Sequence, residues 1–349
     1  MKKILKQVLG IDVAQKELVT CLGRMYEDCE TDLYANKTFA NTEKGFIALI
    51  AWVKKFTLDS TPTRFVMEAT GVYHEQIAYF LEAKGFNVSI VLPNKISNYF
   101  RTLDVKTSTD RTASQAITLF GLERKLDNWK RPKVIFSNVK QLTREYDQII
   151  CERTVAKNQL HAEQAHAMPN KGTEARIKNR IKLFDKQLAE IKKEIETLLR
   201  CEQELNKSVK LLCTVPGVGM LTAAIVLAET NGFELIRNKR QLTSYAGLDV
   251  KEKQSGTSVK SKPRISKRGN KHLRKAMHLP ALSAIRHCQI FKTVFIRLVS
   301  RHGIKMKAAV AVQRKLLELI YIIFKTNRPF DENYTQPMKM NQNEQAVPA

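Results

Sequence analysis

The chain has 349 residues, with 59 Lys and Arg against 34 Asp and Glu, a formal net charge of +25 and a pI near 9.8. That balance excludes an ordinary metabolic enzyme and points to a polyanionic partner, either nucleic acid or an anionic membrane surface. No apolar run approaches the roughly 20 residues of a spanning helix, and Lys6 and Gln7 interrupt any secretory apolar stretch after Met1-Lys2-Lys3, so no membrane association is expected.

The length allows two domains, each burying its own core, plus a connector. In chain order, QVLGIDV (7–13) reads as a buried strand with Asp12 near its end, Glu17–Leu22 as a second strand and Tyr34–Phe39 as a third. Thr42–Phe56 has helical periodicity, with Phe46, Leu49, Ile50 and Val53 on one face. Arg64–Met67 is a short strand ending in Glu68, a helix follows over Tyr73–Ala83, and Phe86–Leu92 is a further strand stopped by Pro93. Three strands followed by alternating helix and strand predict an α/β layer with a mixed sheet.

Within that layer, Asp12 and Glu68 fall at strand ends, where adjacent strands would bring them together as a two-metal phosphoryl-transfer site requires. The third acid is Asp110, in KTSTDRTASQAITLFG at the start of a helix. Carboxylates suit Mg²⁺, which prefers hard oxygen donors and keeps waters for substrate. Taken singly each acid also has a plainer role, as a solvated strand end or, for Asp110, as a helix cap.

From Ile135 to Leu205 the composition turns to helix formers. Ile177, Ile181, Phe184, Leu188, Ile191, Ile195 and Leu198 follow alternating spacings of four and three, a coiled-coil seam, and Val139, Leu142, Tyr146 and Ile149 begin a similar one. The break at Met168-Pro169-Asn170-Lys171-Gly172 predicts an antiparallel hairpin. Next, LLCTVPGVG and an apolar helix form a helix-hairpin-helix candidate, in which Gly217 and Gly219 would let a phosphate approach the second helix.

Residues 206–330 hold 25 Lys or Arg and 5 acids, a net +20, so four-fifths of the excess charge lies in this third of the chain. At its centre is KEKQSGTSVKSKPRISKRGNKHLRK (251–275), ten bases and one acid around Ser255-Gly256. Lys253, Lys260, Lys262, Arg264, Lys267, Arg268, Lys271 and Arg274 are suited to phosphate, and Ser255 is either a contact or a nucleophile. Helices are expected over His272–Arg286 and Ile304–Lys325, and a disordered tail over 331–349. The cysteines at 21, 29, 151, 201, 213 and 288 show neither CxxC pairs nor zinc-finger histidines, so reduced thiols in a cytoplasm are expected.

Taken together, GIDVAQKEL, FVMEATGVYHE, TDRTASQAI, VPGVG and SYAGLDVKEKQSGTSVKSKPRISKRGNKHLRKA resemble the DEDD-type insertion-sequence transposases over most of residues 7–330. The resemblance implies an α/β RuvC-like, RNase H-fold metal-binding domain (1–130), a coiled-coil hairpin connector (131–205) and a mainly α transposase domain bearing a serine (206–330). It implies an RNA-guided DNA recombinase that would be bacterial, nucleoid-associated and a homodimer or homotetramer. Carried over position by position, Asp12, Glu68 and Asp110 match three acids of the tetrad, and Ser255 matches the serine that forms a phosphoserine link to DNA. The fourth acid, expected three residues after the third, is Ala113 here; either Asp104, Ser114 or a water completes the metal shell, or the site holds metal with three carboxylates. A RuvC-like hydrolytic nuclease and a non-catalytic nucleic-acid-binding protein are the alternative readings of the same residues.

Overall fold

The computed structural model describes residues 2–58, 60–69, 71–234, 236–252, 254–255, 259–260 and 263–332, so the expected tail from 333 onward lies outside the described residues. The chain forms two compact units, Met1–Arg131 and Pro132–Ala349. Among the described residues no helix is long and apolar enough to cross a membrane.

The first unit is built on β1 (Ile4–Val13), β2 (Glu17–Tyr26) and β3 (Thr31–Ala40), followed by α1 (Glu43–Phe56), β4 (Thr63–Glu68), α2 (Glu75–Ala83), β5 (Asn87–Val91), α3 (Pro93–Phe100) and α4 (Asp110–Glu123). The strands lie in the order β3-β2-β1-β4-β5. β2 runs antiparallel to β1 and β3, while β1, β4 and β5 are mutually parallel. This mixed sheet is the RNase H-like arrangement that the resemblance implied.

Strand β1 is central and buried on both faces, which explains why it reads as a nearly continuous apolar run rather than an alternating one. Leu9, Ile11, Phe65 and Met67 point to the side covered by α1 and α2, in a core with Phe46, Leu49, Ile77 and Leu81. Val8, Val66 and Val91 point the other way, toward Ile96 of α3 and Ile117 and Leu122 of α4. Alternation along a strand therefore sets Asp12 and Glu68 on the α3/α4 face.

The second unit begins with α5 (Val134–Gln164) and α6 (Lys171–Cys201), then α7 (Gln203–Leu212), α8 (Met220–Glu229) and α9 (Lys239–Tyr245). Four two-residue strands follow, β6 (Val250–Lys251), β7 (Gln254–Ser255), β8 (Val259–Lys260) and β9 (Arg264–Ile265), then α10 (Lys271–Ala276), α11 (His278–His287), α12 (Gln289–His302) and α13 (Lys305–Thr326). Helices α5 and α6 fold back as an antiparallel hairpin, with Arg153 on Asp185 at 2.6 Å and Arg180 donating to Gln159 at 3.2 Å. Ile177, Ile191, Ile195 and Leu199 bury the seam. Val139, Ile149, Ile191, Ile195 and Leu199 belong to the same core as Leu212, Leu227, Leu273 and Leu316, so the hairpin's near end is part of this unit's interior.

The single helix expected over His272–Arg286 is two helices, broken at Met277. Pro280 has no N–H to return to the carbonyl of Ala276, so an unbroken helix would lose a bond there. Helix α12, which the apolar periodicity did not bring out, is largely exposed, with Phe291 as its buried anchor.

Candidate active site

Asp12 lies next to Ile11, which pairs with Met67 of β4; Glu68 is the residue after Met67. The two carboxylates therefore stand at the same level on neighbouring parallel strands and on the same face. Helix α4 crosses this face with its N-terminus at the strand ends. The cap of α4 is Thr109, whose hydroxyl accepts from Thr112 N while Thr112 returns a bond to Thr109 N, so the capping role open to Asp110 is already filled. That leaves Asp110 as an exposed first-turn acid, and it acts on Asp12. Burial, and next the negative charge of Asp110, push the Asp12 carboxyl above its ordinary value, while a backbone hydrogen bond at Val13 only partly opposes them.

Two residues that sequence reasoning missed seat the helix. Gly10 lies under α4, where an added Cβ would stand 2.3 Å from Thr118 Oγ1 and 2.5 Å from Ser114 O. Thr118 Oγ1 accepts from Gly10 N at 3.2 Å and donates to Cys21 O at 2.9 Å, fastening α4 to β1 and β2. A turn further on, a Cβ added at Gly121 would stand 2.8 and 2.9 Å from Val8 and Val66. The signal was present as small residues facing each other in GID and SQAITLFG, but only the packing shows that they touch. The helix would otherwise stand further from the sheet and carry Asp110 away from Asp12.

Of the groups considered for the fourth position, Ala113 has no donor, Ser114 is buried and spends its hydroxyl on Arg111 O at 2.8 Å, and Asp104 is exposed in the loop before α4. Among the described residues no group of three or more His, Cys, Asp or Glu side chains, Asp12, Glu68 and Asp110 included, is placed so that it could hold a metal ion. Asp12, Glu68 and Asp110 offer carboxylate oxygens, the kind of donor a hard divalent cation takes.

In the second unit Ser255 lies on a β-arm. Val250 and Lys251 pair with Ile265 and Arg264, and Gln254 and Ser255 pair with Lys260 and Val259. The segment read as a basic run thus contains two short antiparallel strand pairs among its described residues, with Ser255 in the second of them. The side chains of Ser255 and Lys260, and all of Lys253 and Lys262, lie outside the described residues. At the root, Ser266 N donates to Asp249 O at 2.8 Å and Lys267 N to Gly247 O at 3.1 Å. Arg264, Lys267, Arg268 and Lys271 are exposed. Arg274 is not free in the same way, since it donates to Ala246 O at 2.8 Å.

Between α7 and α8, Gly217 has a φ of +84° and an added Cβ would be 2.4 Å from Pro280 O, so this glycine serves the packing of α11. Gly219 caps α8 with open space around it.

An RNase H-like sheet with acids at its strand ends, joined to a basic helical unit, defines a class of DNA-cutting transposases and recombinases. The profile of a DEDD-type transposase family matches residues 9–168, and that of the Transposase IS116/IS110/IS902 family matches residues 209–295. The chain belongs to this family of transposases. It is 28% identical to the pilin gene-inverting protein of Moraxella lacunata over 333 residues, 94% of this chain and 98% of that protein. It is 21% identical to the transposase for insertion sequence element IS1111A of Coxiella burnetii, over 91% of this chain and 89% of the other. Among solved structures, T. thermophilus RuvC in complex with a Holliday junction substrate matches 35% of this chain and 99% of its own, at 9% identity and a TM-score of 0.28.

Proposed function

We propose that this transposase cuts and rejoins DNA at the ends of a mobile element through a phosphoserine link at Ser255, with Mg²⁺ held by Asp12, Glu68 and Asp110 and with a guide RNA selecting the site. The observation that carries the reading is the placement of Asp12 and Glu68 at the same level on one face of neighbouring parallel strands, with burial and the charge of Asp110 raising the Asp12 carboxyl: carboxylates in such surroundings are stabilised when a cation binds. When bound, Mg²⁺ would offset negative charge on the phosphate under attack.

The chain's own groups supply the rest. Ser255 Oγ forms a bond to phosphorus as the bond to the leaving deoxyribose oxygen breaks. The serine proton is lost and the leaving oxygen gains one, so the step conserves the phosphodiester energy and reverses when a new DNA hydroxyl attacks. Arg264, Lys267, Arg268 and Lys271, exposed beside the arm, hold the backbone phosphates. The named action of the Moraxella relative, gene inversion, is consistent with such conservative exchange. The RNA guide and a dimeric or tetrameric assembly follow from the family resemblance.

The test is to incubate the protein with element-end DNA, guide RNA and Mg²⁺ and to look for a covalent protein–DNA adduct. The expected result is an adduct that Ser255→Ala abolishes and Asp12→Ala strongly reduces. Free cleaved ends without an adduct would instead identify a hydrolytic nuclease, and intact DNA a binding protein.

A further inference from the structure

A cluster of polar side chains in the second unit lies at the root of the Ser255 arm. Glu229 ends α8, an otherwise apolar helix, and its side chain is only 1% exposed. Arg144 of α5 donates to it twice, Nε to Oε1 at 2.8 Å and Nη2 to Oε2 at 3.0 Å. Asn270 Nδ2 donates to Glu229 Oε2 at 2.6 Å, and Tyr245 Oη donates to the Glu229 carbonyl at 3.0 Å. Asn270 also caps α10 through Leu273 N and donates its own N–H to Tyr245 O at 2.7 Å. One turn along α5 from Arg144, Asp147 accepts from Lys275 at 2.5 Å.

Burial alone would raise the Glu229 carboxyl, yet the bonds from Arg144 and Asn270 outweigh it and hold the group below its ordinary value. A buried ion pair is weak evidence for stability, because apolar residues of similar volume often serve a core as well or better. Its use here is better sought in geometry. Tyr245 stands where the chain leaves the core for the arm and Asn270 where it returns, so Glu229 ties both roots of the arm to one point on α5.

We propose that Glu229 and Arg144 are positioning residues that hold the Ser255 arm at a fixed place against α5. The inference deepens the serine reading above and rests on it for its catalytic consequence, while its structural part stands on the hydrogen bonds alone.

The test uses the full-length chain with Glu229→Gln, the charge-balanced pair Arg144→Met/Glu229→Gln, and Asp185→Asn as a control that breaks another ion pair of α5. Amide hydrogen exchange is read without DNA, and the adduct rate and duplex affinity are read with it. In Glu229→Gln, exchange at 245–251 and 264–270 should accelerate by about tenfold, with α12 and α13 unchanged. Duplex affinity should stay within about threefold, while the adduct rate falls by at least about tenfold. The balanced pair, which removes the stranded charge but also the tie to α5, should leave arm exchange fast and the adduct rate low, so its recovery would overturn the proposal, and Asp185→Asn should alter neither. Unchanged arm exchange in Glu229→Gln, a uniform rise across the unit, or an equal effect of Asp185→Asn would overturn the proposal. A wild-type protein that forms no adduct would overturn the serine chemistry alone, because the exchange result is obtained independently of it.

Discussion

Asp12 is held where its charge is unwelcome. A carboxyl whose folded-state pKa is raised binds its proton more tightly in the fold, so its stabilising contribution is present below the unfolded value and is lost as pH rises through the folded one. At neutral pH, ionised Asp12 therefore works against the first unit. Asp12→Asn should raise that unit's melting temperature by about 2–4 °C in metal-free buffer while reducing strand cleavage by roughly 100-fold or more. Mg²⁺ should stabilise the wild type and leave Asp12→Asn nearly unmoved, as scanning calorimetry would show. Gly10 is the complementary case, a residue with no chemistry that decides where chemistry sits. Gly10→Ala drives a methyl into Thr118 and the Ser114 carbonyl, and should cost about 1–3 kcal/mol. Both tryptophans, Trp52 and Trp129, lie in the first unit, so urea unfolding followed by their fluorescence reads this cost without interference from the second.

At the level of elements, β1 was legible because burial on both faces leaves an apolar run, and the α5/α6 hairpin because its seam repeats. Ile195, fully buried where α6 joins the common core, should lose about 2–5 kcal/mol on replacement by Ala, measured by helical circular dichroism in urea. The arm was not legible: KEKQSGTSVKSKPRIS has no alternation of apolar and polar residues, and its short strands are paired through backbone and pinned at their root by Glu229. Because the Glu229 carboxyl is depressed in the fold, its contribution is present above the unfolded Glu value near 4.3 and is lost as pH falls through the folded one. Acid titration of the second unit's stability between about pH 6 and pH 3 should therefore fall more steeply in the wild type than in Glu229→Gln.

For the whole molecule, charge is the dominant fact. Four-fifths of the net +25 lies in residues 206–330, and Arg264, Lys267, Arg268 and Lys271 at the foot of the arm are among its exposed members. Binding to duplex DNA releases counterions, so the logarithm of the affinity should fall linearly with the logarithm of salt concentration, each lost phosphate contact reducing the slope by about one. Replacing Arg264, Lys267, Arg268 and Lys271 together by Ala should lower that slope by about three to four, measured by fluorescence anisotropy across a salt series. Arg274→Ala should behave differently and destabilise the fold, since its guanidinium already serves the Ala246 carbonyl.

The sequence by itself determined the chain's class. Net charge is additive and needs no geometry, strand and helix periods are local, and the motifs that place Asp12, Glu68, Asp110 and Ser255 are short. The tertiary structure decided what those residues can do. That Asp110 rather than a cap interaction burdens Asp12, that Gly10 and Thr118 set this approach, and that Glu229 fastens the arm all depend on interactions between residues 16 to 108 positions apart. Such contacts are selected by close packing and by the cost of burying an unpaired charge, neither of which leaves a period in the sequence.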